Sequence, residues 1–145
     1  MGTNGGIPIE KLRELYSGVV LAYGATSERK LGLSNEFSLR GVLSSRQMAN
    51  WYNGSLDDKL DPILDLDFEN LRDMAIIGNG NVSMDISRVL LKNPKLLEPY
   101  DAPSKVIEQL KKHKLKNLSV IGRRGVIQSA FTIKEIREIS RIEKV

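Results

Sequence analysis

Met-Ala-Ile-Ile-Gly-Asn-Gly-Asn-Val-Ser, residues 74–83, is an apolar run that enters a turn with two glycines and continues into a helical pattern. The apolar run predicts a strand. A helix is predicted directly after the turn because apolar residues recur along one stripe: Val82, Ile86, Val89 and Leu90. A strand, a glycine turn and a helix in this order are typical of a phosphate or dinucleotide site, although a unit that merely turns is the alternative.

Each position of the turn has a chemical reason. Gly78 allows the tight turn, and Gly80 lets a pyrophosphate approach the backbone closely. The free N–H groups of Gly80, Asn81 and Val82 would then face the anion, helped by the helix dipole. Ser83 stands where the dinucleotide fingerprint has its third glycine. Serine is a departure from the pattern, but it still allows fairly close packing of helix and strand.

The next predicted strand, Leu118 to Ile121, indicates which dinucleotide is bound. Units that bind NAD place an acidic residue after this strand to accept hydrogen bonds from the ribose hydroxyls. This chain instead has Gly122-Arg-Arg-Gly125 and no carboxylate there. The guanidinium groups of Arg123 and Arg124 can form charge-assisted hydrogen bonds to the 2′-phosphate of NADP. The pair therefore favours NADP over NAD, with a solvated basic turn as the alternative.

The remaining pattern predicts an α/β fold, a Rossmann-like parallel sheet with flanking helices. Further strands are predicted at Gly18–Tyr23, as a strand buried on both faces, and at Val42–Leu43. Helices are predicted at four places: over Ile9–Tyr16, after a cap at Ser44 or Ser45, after a cap at Ser104, and from Thr132 with a capping box to Glu135. Asn53-Gly54 predicts a turn, and Asp57–Glu69 predicts a loop.

Composition excludes several classes of function. The 145 residues suit one ordinary domain, and apolar (41%) and charged (28%) fractions are those of a soluble globular protein. There is no cysteine and one histidine, so disulfides, thiolate or histidine metal clusters and a cysteine nucleophile are excluded. Redox chemistry would therefore need a bound cofactor. No apolar run approaches the roughly 20 residues of a membrane helix.

The charge is mildly basic, at +4 with a pI near 9.4. A nucleic-acid-binding domain is the weakest interpretation, since the basic residues are not interleaved with aromatic residues. The basic cluster Lys111–Lys116, with His113, is interpreted as a solvated helix end. Trp51 and Tyr52 are interpreted as packing residues. Residues 1–6 lack the pattern of a targeting segment and are interpreted as a linker.

Two segments resemble adrenodoxin reductase and its ferredoxin–NADP reductase relatives. They are Gly78–Asp85, Gly-Asn-Gly-Asn-Val-Ser-Met-Asp, and the longer, more specific Gly122–Glu138. Val19–Ala25 and Trp51–Gly54 match in kind and order, so the resemblance covers nearly all of the chain after Pro8.

The resemblance implies roles for individual residues. Asn79, Gly80, Asn81 and Val82 would hold the pyrophosphate, together with Gly78, and Arg123 and Arg124 the 2′-phosphate. Glu135 would line the bound nucleotide, whereas its position alone indicates a helix cap. Arg137 and Arg141 would dock an acidic iron–sulfur protein of the ferredoxin or adrenodoxin type, with a solvated helix face as an equal alternative. No metal site is implied.

The resemblance also implies an electron relay from NADPH through FAD to the iron–sulfur protein. The flavin-binding motifs of the family are not found here, so we expect residues 18–145 to form the NADP-binding domain, itself truncated, of a longer flavoprotein. Residues 1–17 would be a linker and a short helix. Alone, the chain is expected to lack reductase activity, and a mitochondrial location is expected from the family. A non-catalytic NADPH-binding regulatory module is the alternative function.

Overall fold

The computed structural model describes residues 6–24, 30–36, 38–55 and 66–142, and it shows an α/β fold. Strand β1 (Asp73–Ile77) pairs in parallel with strand β2 (Asn117–Ile121), so that Asp73 lies opposite Asn117 and Ile77 opposite Ile121. The helices are α1 (Ile9–Leu15), α2 (Ser45–Tyr52), α3 (Asn81–Leu91), α4 (Ser104–Lys112) and α5 (Ile133–Ser140). The described residues also form short 3₁₀ turns at Pro94–Leu96, Glu98–Tyr100 and Val126–Gln128.

Both strands around the glycine and arginine turns are confirmed, but the strands predicted at Gly18–Tyr23 and Val42–Leu43 are wrong. Residues 18–24 form no strand, and Val20 is 88% exposed. An apolar run becomes a strand only when a neighbour satisfies its backbone groups. Within the described ranges, only β1 and β2 pair with each other. The predicted loop is described only from residue 66 onward, where Phe68–Asn70 form a turn.

Helix α3 occupies the centre of the core. It packs against α2 on one side and α5 on the other. Its buried residues Ile86, Val89 and Leu90 meet an apolar cluster contributed by α2, α4 and the turn before β1: Met48, Trp51, Phe68, Val106 and Leu110. Val82, predicted on the same stripe, is instead 53% exposed, because it lies in the first turn of α3 beside the glycine turn.

Trp51 confirms the packing interpretation. The indole is buried and stacks on Phe68 with ring centroids 5.4 Å apart. Its Nε1–H donates to Gln109 Oε1 at 3.0 Å, so the polar edge of the ring is satisfied inside the core. Helix α2 is thereby fixed to α4, and the turn at Asn53-Gly54 is found where it was predicted.

Two of the three predicted caps are confirmed. Ser44 begins α2 in a capping box with Gln47, and Thr132 begins α5 in one with Glu135. Ser104 is not a cap. It is the first residue of α4, and Pro103 precedes it as the N-cap with φ −58°. The ring of Pro103 fixes φ at the entry to α4, and no side chain caps this helix.

His113 corrects the interpretation of the basic cluster as fully solvated. Its side chain is half-buried, with Nε2 3.0 Å from the Leu90 carbonyl oxygen. The Leu115 N–H donates to Nδ1 at 3.3 Å, which assigns the proton of the neutral ring to Nε2. Burial lowers the pKa of His113, opposed by its hydrogen bonds to the backbone. The imidazole therefore joins the end of α3 to the segment that leads into β2.

We expect His113 to make the free energy of unfolding fall as pH drops below about 6.5, the ordinary pKa of histidine. The unfolded chain then takes up a proton that the folded chain resists, so stability is complete above this pH and is lost below it. Urea unfolding between pH 7.5 and 5 would measure the effect. His113→Gln is the control, because His113 is the single histidine. The stability advantage of the native chain over the variant should shrink towards pH 5; parallel curves would contradict the assignment.

Candidate functional site

The two turns of interest meet at one edge of the sheet. Strand β1 continues into Gly78-Asn79-Gly80, and strand β2 continues into Gly122-Arg123-Arg124. Because the strands are parallel, both turns leave from carboxyl ends, which is where open α/β sheets bind ligands. The Gly78 N–H donates to the Ile121 carbonyl oxygen at 2.8 Å, so the pairing extends into the turns themselves.

The glycine turn has the geometry of an open anion cradle. Gly78 adopts φ +116°, a conformation that residues with a side chain rarely occupy. Gly80 is the N-cap of α3, in an extended conformation, and a Cβ added there would meet nothing within 4 Å. No side chain caps α3, and the first N–H groups of a helix lack an intrahelical acceptor. These N–H groups are available to a bound anion.

Ser83 fulfils the packing role expected of the missing glycine. It is buried, and its Oγ lies 3.7 Å from where a Cβ of Gly78 would be. Its carbonyl oxygen accepts a hydrogen bond from the Ser87 hydroxyl at 2.7 Å. Two small residues on the inner face of α3 therefore let the helix start close to the strand.

Arg123 and Arg124 are both exposed in the bend that follows β2. Within the part of the chain that the structure describes, neither guanidinium forms an ion pair or a hydrogen bond. The same edge of the sheet thus presents free backbone donors on one turn and two uncompensated positive charges on the next. Such an arrangement suits an anionic ligand with phosphates at two places.

Glu135 acts as the cap that its position indicates. Its carboxylate accepts from the Thr132 N–H at 2.7 Å and from the Thr132 hydroxyl. These two bonds, the hydroxyl first, lower the pKa of Glu135. The Asn81 amide, with its NH₂ group turned towards α5, lies 3.1 Å from Glu135 Oε2 and 3.1 Å from the Ala130 carbonyl oxygen. The fold therefore brings Glu135 to the glycine turn, although the lining of a nucleotide stays a prediction.

The two candidate docking residues are both exposed, but they do not share one helix. Arg137 lies in α5, whereas Arg141 is the residue after its end, with φ −99° and ψ 0°. Neither forms an ion pair with another described residue. Arg141 is the C-cap of α5, four residues after Arg137, and the role of both in docking stays a prediction.

A polar network behind α3 was missed by the sequence analysis. Tyr52 donates through its hydroxyl to Asp85 Oδ2 at 3.3 Å, and Arg88 pairs with the same carboxylate. Arg88 also lies 3.9 Å from Glu138 of α5. Burial, followed by the Asp85 charge, raises the pKa of Tyr52. The i,i+3 spacing of Asp85 and Arg88 was the available signal. Tyr52, Asp85 and Arg88 of this network line a cleft of about 520 Å³ between α2, α3 and the 3₁₀ turns.

The described ranges contain neither a metal site nor a membrane-spanning helix. No group of three histidine, cysteine or carboxylate residues there could hold a metal ion. None of the helices described is long and apolar enough to span a bilayer.

Several known proteins similar to this chain are named NADPH:adrenodoxin oxidoreductase. This chain is 40% identical over 133 residues to the probable mitochondrial NADPH:adrenodoxin oxidoreductase of Schizosaccharomyces pombe. The match covers 92% of this chain and 28% of the relative. The chain is 39% identical over 137 residues to the mitochondrial NADPH:adrenodoxin oxidoreductase of Homo sapiens, covering 94% and 27%. The chain thus spans little more than a quarter of the length of these relatives. No protein-family model matches it.

The fold is also that of a solved oxidoreductase. FprA of Mycobacterium tuberculosis in complex with NADPH superposes with a TM-score of 0.76 at 31% identity, over 94% of this chain and 29% of FprA. The similarity confirms the Rossmann-like fold predicted from the strand and helix pattern.

The geometry of the glycine turn predicts that an added methyl group lowers the stability of the fold at Gly78 but hardly changes it at Gly80. Gly78→Ala should lower the free energy of unfolding by about 1–3 kcal/mol, because alanine is strained at that φ. Gly80→Ala is the matched control. Its backbone is allowed for alanine and its Cβ has room, so we expect a change within about 0.5 kcal/mol. Chemical denaturation of both variants would measure this; equal losses would show that the turn is built differently.

Proposed function

We propose, from the premise that this chain is homologous to one segment of the NADPH:adrenodoxin oxidoreductases, that it binds NADPH as the pyridine-nucleotide domain of a flavoprotein reductase. The observation that supports this best is the pairing of an uncapped glycine turn with an unpaired arginine turn at one sheet edge. A dinucleotide with a pyrophosphate and a separate 2′-phosphate matches both turns.

The pyrophosphate would be held by backbone groups. Gly80 leaves space for a phosphate oxygen against the backbone. Asn81 and Val82 are the first residues of α3, and their N–H groups would donate to the phosphate. A helix N-terminus favours negative charge through its dipole and its free donors. Val82, in the first turn of α3, is itself 53% exposed.

The 2′-phosphate would be held by Arg123 and Arg124. It carries about −1.5 to −2 charges, and each charge-assisted hydrogen bond to it contributes about 1.5–3 kcal/mol. The chain offers no acidic residue in this turn to accept from a 2′-hydroxyl. The arginines therefore supply the preference for NADPH over NADH.

Glu135 would face the ribose or nicotinamide side of the nucleotide rather than its phosphates. Its lowered pKa keeps the carboxylate ionised, and an ionised carboxylate repels phosphate but accepts hydrogen bonds from hydroxyl or amide groups. One oxygen, Oε2, already receives both bonds from Thr132, so its other oxygen is the acceptor for ligand.

The longer protein would use this domain, residues 18–145, to place NADPH against a flavin. FAD, held by residues outside 18–145, would supply the acceptor for the hydride of NADPH and the link to a one-electron iron–sulfur protein. The residues of this chain would bind and orient the reduced nucleotide. The relatives are named as mitochondrial proteins, and we propose the same location here.

Calorimetric titration of the chain with NADPH and with NADH tests the nucleotide assignment. We expect NADPH to bind at least tenfold more tightly, a difference of about 1.4 kcal/mol. The preference should collapse in Arg123→Ala or Arg124→Ala, because the bonds to the 2′-phosphate are lost while the pyrophosphate is still held.

Arg72→Ala is the matched control for these variants. Arg72 precedes β1 and is exposed, so it lies at the opposite end of the sheet, roughly 16 Å from the arginine turn at about 3.3 Å per strand residue. Loss of one positive charge there should leave the preference intact. An equal effect of all three substitutions would mean that Arg123 and Arg124 act only through the overall charge, and would contradict their contact with the 2′-phosphate.

We further propose that Arg137 and Arg141 attract the acidic iron–sulfur partner. In the full-length enzyme, Arg137→Glu with Arg141→Glu should raise the apparent KM for that partner several-fold at low salt and leave the KM for NADPH unchanged. Electrostatic steering is screened by salt, so the effect should shrink as ionic strength rises. Arg72→Glu is the control, because it reverses a positive charge at the other end of the sheet and should leave the KM for the partner unchanged. An unchanged partner KM in the double variant would leave this helix end a solvated surface.

A further inference from the structure

The side chain of Asn79 lies directly against the backbone of Gly122. A Cβ added to Gly122 would be 2.5 Å from Asn79 Cγ, 2.5 Å from Nδ2 and 3.0 Å from Cβ. Gly122 is not among the positive-φ glycines, so its conformation alone does not require glycine. Position 122 requires glycine because the side chain of Asn79, from the glycine turn, occupies the space where a Cβ would lie.

This contact stands beside the last backbone hydrogen bond between the turns. Gly78 donates to Ile121 at 2.8 Å, and the next residue of each turn then forms the Asn79–Gly122 contact. Arg123 follows Gly122 directly, and Gly80 follows Asn79 directly. The two contacts therefore fix how far the backbone donors of one turn lie from the guanidinium groups of the other.

We propose that Gly122 is a positioning residue for NADPH, and that its missing side chain lets Asn79 hold the pyrophosphate turn at the correct distance from the arginine turn. This inference rests on the proposed binding of NADPH. The 2′-phosphate and the pyrophosphate are attached to the same ribose, so their separation is short and a displacement of about 1 Å between the two turns weakens the bonds at one end.

A methyl group at position 122 could not be absorbed by rotation of Asn79 alone. Rotation about χ1 would carry Cγ and Nδ2 away, but it leaves Cβ in place at 3.0 Å from the added carbon. The backbone of one turn must therefore move as well. NADH uses the pyrophosphate turn without the arginines, so the displacement should cost NADPH more than NADH.

The test is titration of the full-length protein and its Gly122→Ala variant with NADPH and with NADH. We expect about tenfold weaker NADPH binding, a magnitude typical of one overpacked methyl group, and a lower ratio of NADPH to NADH affinity. Gly125→Ala is the matched control in the same turn, since its Cβ would meet only Gln128 Oε1, at the end of a flexible side chain, at 3.3 Å. It should bind like the native protein.

The double variant Asn79→Gly/Gly122→Ala keeps the proposal testable even if Gly122→Ala fails to fold. Glycine at position 79 removes Cβ, Cγ and Nδ2, so all three short contacts are relieved and the double variant should fold and match Asn79→Gly in NADPH affinity. A further loss in the double variant, or native binding and an unchanged ratio in Gly122→Ala, would overturn the positioning role while NADPH binding itself stands. Absence of NADPH binding to the native protein would instead overturn the proposed function, and this inference with it.

Discussion

The parallel pairing of β1 with β2 is the constraint on which the candidate site depends. Its register places Ile77 opposite Ile121, so the two strands end together and their turns begin together. A slip of one residue would turn every side chain of one strand to the other face, moving Met74 and Ile76 away from the core. Burial of α3 against the sheet thus also fixes where the glycine turn stands relative to Arg123.

Helix α3 links this edge to the rest of the molecule. Its inner face carries small residues near the strand and larger apolar residues further along, so the helix starts close to the turn and then fills the core. Its other contacts reach α2 through the Tyr52–Asp85 bond and α5 through Arg88 and Glu138. One helix therefore presents free donors to a ligand at its first turn and holds together the surrounding helices along its length.

The sequence was most informative where a local rule decides the structure. The strand–turn–helix at residues 74–91, the capping boxes at Ser44 and Thr132, and the small residue at Ser83 each follow from contacts within a few positions. The strand predicted at Gly18–Tyr23 was wrong because a strand needs a partner, and an apolar run does not reveal whether one is present. The interpretation of His113 and the predicted cap at Ser104 were wrong because other residues decide both: the Leu90 carbonyl oxygen binds the imidazole, and Pro103 takes the N-cap position. The Asn79–Gly122 contact joins residues 43 positions apart, and a single sequence carries no sign of it.

The alternating exposure of the two strands has a consequence for assembly. Ile77 and Ile121 face outward side by side, at 59% and 51% exposure, and each strand has one outer edge without a partner among the described residues. Unpaired edge groups can accept another strand, and a neighbouring apolar face adds a reason for it to stay. These features would let the unit join a wider sheet. In the isolated unit, they would favour association between copies, and such association increases with concentration.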